Sequence, residues 1–282
     1  MAEDTPFTIK SDSPVAGALM LEIEIDTLSR QGGRSYNEDV FGQWNDGRFL
    51  ACVVADGAGG HGGGDVAASI VRSSVLSGFA AAPGLDREAL RRLLQQANRD
   101  VVARQAEGGT LAAMRSTVVL AAIDLHENAV VWAHSGDSRA YLFRGGAPVV
   151  RTIDHSLVQQ MVAGGMIDEE AARLHPKRNM LLSALGSLES LPEITVSERM
   201  ALAVDDVLLL CSDGVWEPLG DACLCETLRT SPGPGRWMEQ LDTEIRARAR
   251  PGYDNYTAVA LWLHRGGEHD EVVRPLPEPP GP

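Results

Sequence analysis

The order of strands and helices in this sequence predicts an α+β fold built in layers. Strand-like runs cluster in the middle of the chain instead of alternating regularly with helices. Two predicted helices follow the first strands, and another helix precedes the last strand. A doubly wound parallel sheet would alternate strand and helix throughout, so these observations favour layered α+β architecture.

The first well-defined element is an apolar run at residues 49–55 that leads directly into DGAGGHGGGD, from Asp56 to Asp65. An apolar, helix-like segment follows this run. The order places the Asp56 carboxylate, a hard oxygen ligand, at a strand end, and the glycines allow the backbone to approach a bound partner closely. The run therefore indicates a site for a metal ion or a phosphate group.

The rest of the chain contains two clear helix patterns and several strand patterns. Helices are predicted over residues 86–107 and 235–250, where apolar side chains recur on one face. The predicted strands are residues 117–123, 129–134, 139–143, 207–211 and 257–263. Turn-like connections at 127–128 and 144–146 predict an antiparallel meander in the middle, with residues 135–139 lying in a hairpin.

Residues 156–185 have little strand character and predict a helical flap beside the site. Asp168, Glu169 and Glu170 would begin a short helix with acidic groups at its positive end, and His175-Pro176 would end it. An ordinary surface helical hairpin accounts for the same pattern equally well.

Length and composition indicate one domain. A chain of 282 residues with 44% apolar and 23% charged residues can bury a core without a disulfide or a structural metal. We predict a weakly structured lead-in at residues 1–20, a single domain at 21–265 and a disordered, proline-rich tail at 266–282.

Charge and cysteine usage narrow the partners and the compartment. The net charge of −14 argues against nucleic acid or an anionic membrane as the main partner, since both require clustered cations. The four cysteines form neither a disulfide framework nor a zinc-ligand pattern, and the acidic N-terminus is unlike a secretory signal. We therefore expect a cytoplasmic protein with reduced thiols, and a monomer.

Acidic residues recur beside glycine or asparagine at the ends of apolar runs. The segments that share this feature are RSYNED at 34–39, DG at 56–57, SGDSR at 135–139, SDG at 212–214 and DNYT at 254–257. Each alone is typical of a turn or a cap. If they converge, their carboxylates would repel one another unless cations neutralised them. All-oxygen ligands without companion His or Cys favour Mg²⁺ or Mn²⁺ over Zn²⁺.

These motifs resemble, in order and spacing, those of the type 2C metal-dependent serine/threonine protein phosphatases. The matching segments are RSYNED, VVADGAGGHGGGDVA, GDSRAY, TIDHS, ALGS, LLLCSDGVWE and DNYTAV. The resemblance implies a four-layer αββα sandwich, in which helices flank two central antiparallel sheets and the flap lies near the site. It also implies a bacterial-style enzyme that hydrolyses phosphoserine and phosphothreonine in proteins and opposes a serine/threonine kinase.

The resemblance also implies roles for individual residues. A hydroxide held between two Mn²⁺ or Mg²⁺ ions would attack phosphorus, and Arg34 would bind the substrate phosphate through its planar guanidinium. Asp56 would bridge the ions, and Glu38 and the Gly57 carbonyl would complete one metal site. Asp213 and Asp254 would form the other site. Asp39 would hold metal-bound water, and Asp137 would bind a third, weaker ion. His155 and Ser156 are expected to be structural.

One position departs from the eukaryotic members of the family. Many of these carry a histidine directly after the Asp-Gly pair, proposed as the general acid, whereas this chain has Ala58. Many bacterial members also lack the histidine. Water or His61 could donate the proton, although a structural role for His61 in the glycine loop is favoured. Loss of a general acid typically lowers a rate by roughly 10²–10⁴.

Two other functions are compatible with parts of the sequence. Residues 57–62 satisfy the dinucleotide pattern G-x-G-x-x-G, but that fold also needs an acid about 20 residues later at the end of a second strand. Here the next acid after Asp65 is Asp86, which begins a helix. A catalytically weak pseudophosphatase would act as a binding module, but the presence of Asp56, Asp213 and Asp254 argues against it.

Overall fold

The computed structural model describes residues 7–9, 21–59, 62–187 and 191–266. Most of the predicted lead-in, nearly all of the predicted tail, and His61 lie outside the described residues. Residues 7–9, which were predicted to belong to the weakly structured lead-in, form a strand.

The described elements are numbered in chain order. The strands are β1 Phe7–Ile9, β2 Leu21–Arg30, β3 Asp39–Asn45, β4 Phe49–Ala58, β5 Arg115–Ser116, β6 Val118–Asp124, β7 Ala129–Ser135, β8 Arg139–Arg144, β9 Ala147–Arg151, β10 Thr195–Val196, β11 Met200–Ala201, β12 Val207–Cys211 and β13 Tyr256–Arg265. The helices are α1 Gly64–Ala81, α2 Arg87–Gln105, α3 Leu157–Ala163, α4 Glu169–Leu174, α5 Asp213–Thr230 and α6 Pro234–Arg248.

Two antiparallel sheets form the centre of the molecule. One sheet has the strand order β1-β2-β13-β12-β8-β9, and the other has the order β10-β7-β6-β4-β3, with β11 beside β7 and β5 beside β4. One cluster of buried apolar side chains lies between the two sheets. Helices α1 and α2 pack on the outer face of the second sheet, and α5 and α6 pack on the outer face of the first. The predicted layered α+β sandwich is therefore confirmed.

The sequence of β12 shows why a central strand here is apolar on both faces. Leu208 and Leu210 face the core between the sheets, whereas Val207, Leu209 and Cys211 face the helices. Successive side chains of a strand point to opposite faces, and both faces of this sheet are covered. Because both faces are covered, every residue of β12 is apolar. The pattern alone therefore does not show which residues point to which face.

The predicted meander is wrong at one connection. The hairpin of β6 and β7 and the hairpin of β8 and β9 form as predicted. However, β8 pairs with β12 and lies in the other sheet, so residues 136–138 cross between sheets and do not form a hairpin. Gly136 adopts a φ of 103°, which few other residues tolerate, and this permits the abrupt change of direction.

The predicted helices agree with the structure to within about two residues at each end, as local signals allow. Asp86 is the N-cap of α2 and accepts a hydrogen bond from the Ala89 backbone at 2.7 Å, so the helix begins at the next residue. Asp168 caps α4 in the same way, and the helix ends at Leu174, before His175. No helix among the described residues is both long and apolar enough to cross a bilayer.

Candidate metal centre

Strand pairing places Asp39 directly opposite Asp56. The two residues are register partners in the antiparallel pair of β3 and β4, so their side chains project from the same face. Asp39 Oδ2 accepts a hydrogen bond from Ser212 Oγ at 2.7 Å. The backbone of Asp56 is held by Thr117, whose N–H donates to the Asp56 carbonyl at 2.8 Å and whose Oγ1 accepts from the Asp56 N–H at 3.1 Å.

A second strand pair brings Asp213 close to Asp254. Asp213 begins α5 just after β12 ends, Asp254 lies just before β13, and these strands are antiparallel neighbours. Gly214 makes the close approach possible, because a Cβ at this position would lie 1.9 Å from the Asn255 carbonyl oxygen. Asn255 Oδ1 in turn accepts from the Glu38 N–H at 2.9 Å, which links this pair to Glu38.

The glycines of the DGAGGHGGGD run allow three segments to pack closely. A Cβ on Gly57 would lie 2.0 Å from the Gly64 carbonyl oxygen, and a Cβ on Gly64 would lie 2.2 Å from Glu38 Oε1. The Gly57 N–H also donates to the Glu38 carbonyl at 3.2 Å. The glycines therefore let the end of β4, the start of α1 and the Glu38 carboxylate meet without side chains between them.

Asp137 reaches the centre from the crossover between the sheets. Its carbonyl accepts a hydrogen bond from Trp216 Nε1 of α5 at 2.9 Å. Two hydrogen bonds with His155 hold the preceding residue, Gly136. The ring Nδ1 of His155 accepts from the Gly136 N–H at 3.3 Å, and the backbone N–H of His155 donates to the Gly136 carbonyl at 2.9 Å. Ser156 Oγ accepts from the Gln159 N–H at the start of α3. The contacts of His155 and Ser156 are thus structural ones.

Burial and mutual repulsion raise the pKa of these carboxyl groups. Burial is the main cause for Asp39, whose pKa rises to about 6, and for Asp137, whose pKa rises to about 7. Asp56 and Asp213 have pKa values well above the usual range because of burial and, next, the charges of the neighbouring aspartates. Asp39, Asp56, Asp137 and Asp213 therefore share one electrostatic environment.

Several buried carboxylate oxygens lack a partner. Among the described residues, Glu38 Oε1, Asp39 Oδ1, Asp137 Oδ1 and Asp213 Oδ1 accept no hydrogen bond. Unpaired buried acceptors are costly, and a hard divalent cation is a ligand that can satisfy several of them at once. The donor set therefore fits a hard divalent cation.

The carboxylates are adjacent but do not form a closed cage. No three His, Cys, Asp or Glu side chains within the described ranges already form a metal-ligand cluster. Asp254 Oδ2 is instead paired with Arg34 Nη2 at 2.6 Å, and Asp39 is turned towards Ser212.

A cavity of about 620 Å³ adjoins Asp213 and Asp254. Arg34 lines this cavity, and so do Arg173 and Arg178 of the predicted flap. Residues of the flap therefore lie beside the candidate centre. Ala58 is exposed at the end of β4 and provides no proton donor.

Sequence reasoning missed the residues that support the carboxylates. Ser212 and Asn255 adjoin predicted ligands, so their positions in the SDG and DN motifs were an available signal. Trp216 reads as an ordinary apolar residue of a helix, and nothing local indicates its bond to the Asp137 carbonyl. Arg173, in the short helix α4, and Arg178, in the turn after it, have sequence surroundings typical of solvated surface charges.

The sequence and the fold of this chain are both similar to those of known protein phosphatases. The family model described as protein phosphatase 2C matches residues 29–247. Serine/threonine phosphatase stp of Listeria innocua is 33% identical over 235 residues, covering 81% of this chain and 90% of that protein. Serine/threonine protein phosphatase PstP of Mycobacterium tuberculosis is 36% identical over 227 residues. The match covers 80% of this chain but only 42% of PstP. A crystal structure of the PstP catalytic domain in complex with two manganese ions has a TM-score of 0.69 at 31% identity, covering 86% of this chain and 99% of that chain.

Proposed function

Because this chain belongs to the protein phosphatase 2C family, we propose that it hydrolyses phosphoserine and phosphothreonine in proteins and requires Mn²⁺ or Mg²⁺. The observation that carries the proposal is the group of neighbouring aspartates whose buried oxygens lack partners. The manganese-bound PstP structure supports two divalent ions, and the serine/threonine phosphatases among the relatives support the substrate class.

The proposed ligands are those that the resemblance to this family implies. Asp56 would lie between two ions, Glu38 and the Gly57 carbonyl would bind one of them, and Asp213 and Asp254 would bind the other. Asp39 would orient water within the centre, and Asp137 would hold a third, weaker ion. When bound, the ions would lower the pKa of the attacking water and neutralise charge on the phosphoryl group.

The chain's own residues would position the substrate. Arg34 is half exposed and donates from Nη2 to Asp254, so once that carboxylate binds a metal the guanidinium can turn to a phosphate. Its paired N–H donors match two phosphate oxygens. Ser212 would keep the Asp39 carboxylate oriented, since it donates to Oδ2 and leaves Oδ1 free for water. With Ala58 beside the centre, solvent would protonate the leaving alkoxide of the serine or threonine side chain.

The proposed setting is a monomeric cytoplasmic enzyme that opposes a serine/threonine kinase, with one catalytic domain at residues 21–265. The four cysteines are free thiols, as a reducing compartment requires. A kinase is implied because each phosphoserine removed must first be made by phosphoryl transfer. The pseudophosphatase alternative is not favoured, because the chain retains every carboxylate that the centre needs.

The test is hydrolysis of a chromogenic phosphomonoester and of a phosphoserine peptide with EDTA or with Mn²⁺. We expect turnover only with Mn²⁺, and at least a roughly 100-fold loss in Asp56→Asn and Asp213→Asn, because metal ions supply several kcal/mol of the stabilisation. Thermal unfolding gives a second readout, since Mn²⁺ should stabilise the wild type but neither variant.

Asp205→Asn is a matched control. Asp205 is exposed at the other end of β12 from Asp213 and has a φ of 65°, which asparagine also tolerates. Turnover in EDTA, or full Mn²⁺-dependent turnover by Asp56→Asn, would refute the proposed function.

A further inference from the structure

The cavity beside Asp213 and Asp254 is lined by arginines from separate parts of the chain. The lining arginines are Arg34, Arg173, Arg178, Arg248 and Arg250. The lining acids are Asp213, Glu217 and Asp254. Five positive against three negative side chains give the cavity a net charge of +2, although the chain as a whole carries −14. A positive cleft in a negative protein concentrates anionic ligands locally.

Metal binding would make the cavity more positive. Two of its three acids, Asp213 and Asp254, are proposed metal ligands, so divalent ions would more than offset their charge. Arg34 would at the same time lose its pairing with Asp254. Among the residues that the structure describes, Glu217 would then be the one acid lining this cavity whose charge no metal ion offsets.

The flap arginines are held in place by α5. Arg173 Nη1 donates to the Glu217 carbonyl at 3.2 Å, and Arg178 Nε donates to Glu217 Oε1. Glu217 lies four residues after Asp213, so both arginines have a fixed position relative to the metal centre. A guanidinium has five N–H donors, and these contacts leave most of them available to a ligand.

A helix end accounts for Arg248 but not for the other arginines of the cavity. Arg248 lies in the last turn of α6, where a cation is favoured by the helix dipole, and it also pairs with Glu244. Arg250 lies beyond the helix end, is exposed, and forms no ion pair with the described part of the chain. Residues distant in sequence thus contribute positive charge to one cavity that opens beside the centre.

We propose that this cavity binds acidic side chains that flank the phosphorylated residue, so that the enzyme prefers acidic phosphoprotein segments. The inference rests on the proposed function and adds a substrate class to it. The arginines act by binding substrate, so their removal raises KM for acidic substrates more than it changes kcat. Since the groups are solvent-accessible, each contact is worth roughly two- to fivefold in affinity and weakens with salt.

The experiment compares two phosphoserine peptides that are identical except for three glutamates or three glutamines on each side of the phosphoserine. The measured quantity is the ratio of their kcat/KM values with Mn²⁺. We expect the wild type to favour the glutamate peptide at least fivefold at low salt, and this ratio to approach one at about 0.5 M salt.

Two substitutions test the assignment. Arg250→Gln breaks no ion pair within the described structure, and it should lower the ratio by roughly two- to fivefold. The double variant Arg178→Gln/Arg250→Gln should lower it further. Arg236→Gln is the control, because Arg236 is exposed on the first turn of α6, at the other end of that helix from Arg250, and does not line this cavity. The control should keep the wild-type ratio.

The outcomes separate the inference from the proposed function. Equal kcat/KM values for the two peptides in the wild type, or an unchanged ratio in the double variant, would overturn the inference while leaving the phosphatase activity in place. Failure to hydrolyse either peptide or the chromogenic phosphomonoester with Mn²⁺ would overturn both.

Discussion

Replacing Asp137 with asparagine should stabilise the metal-free protein. The Asp137 side chain is buried, and its Oδ1 has no hydrogen-bond partner among the described residues. Burial, and then the charge of Asp154, raises its pKa from the usual 3.8 to about 7. Asparagine has nearly the same shape and removes the carboxyl group, and the backbone bond from Trp216 to the residue 137 carbonyl remains.

The sign and size of the effect follow from proton linkage. A carboxyl group whose pKa is raised by folding contributes fully to the free energy of unfolding below its unfolded pKa, near 3.8. This stabilising contribution is lost as the pH rises towards 7, the pKa in the folded protein. A difference of about three pKa units corresponds to about 4 kcal/mol. The unpaired amide of asparagine offsets part of this, so we expect a gain of about 2–4 kcal/mol at pH 7.5.

The assay is urea and thermal unfolding of both proteins in EDTA at pH 7.5 and pH 5. The gain corresponds to a rise in Tm of roughly 4–10 °C at pH 7.5 and should shrink to less than half at pH 5. Mn²⁺ should stabilise the wild type more than the variant. Asp205→Asn should match the wild type to within about 0.5 kcal/mol. A variant no more stable than the wild type at pH 7.5, or a difference that does not narrow at pH 5, would refute this reasoning.

Three further predictions concern other parts of the site and the fold. Arg34→Gln should raise KM for phosphoserine peptides by roughly tenfold, because a charge-assisted hydrogen bond is lost; steady-state kinetics with an unchanged KM would contradict the role in binding. Gly214→Ala should destabilise the protein by about 1–3 kcal/mol or more in urea unfolding, since its Cβ would lie 1.9 Å from the Asn255 carbonyl oxygen; an unchanged midpoint would show that the backbone relaxes freely. Burial lowers the pKa of His134 from 6.5 to about 4, so stability is lost as the pH falls from 6.5 towards 4. Between pH 7 and pH 4.5 the free energy of unfolding of the wild type should therefore fall by roughly 2–3 kcal/mol more than that of His134→Gln. Equal decreases in urea unfolding would contradict a buried neutral imidazole at this position.

Local patterns predicted several of the elements, although the strand β2 and the helix α5 were not among them. The spacing of apolar residues in α2 and the capping residue Asp86 are local features, and both agree with the structure. The same holds for β12, predicted over the residues that it occupies, Val207–Cys211. Such features are predictable because helix caps and side-chain periodicity depend on residues a few positions apart.

The connection between β7 and β8 was not predictable in this way. A glycine-containing turn between two apolar runs is typical of a hairpin, and Gly136 satisfies that pattern. Whether the second strand returns to the first depends on which other strands compete for it. Here β12, more than 60 residues later in the chain, pairs with β8 and takes it into the other sheet.

The sequence by itself determined that carboxylates stand at strand ends in a layered α+β protein and that their motifs resemble those of a metal-dependent phosphatase. The tertiary structure alone decided that Asp39 lies opposite Asp56, that four carboxylate oxygens are buried without partners, and that arginines of the flap and of the end of α6 share one cavity. The physical reason is range. Periodicity and caps act over a few residues, whereas strand register and the walls of a cavity arise when segments far apart in the chain pack against a common core.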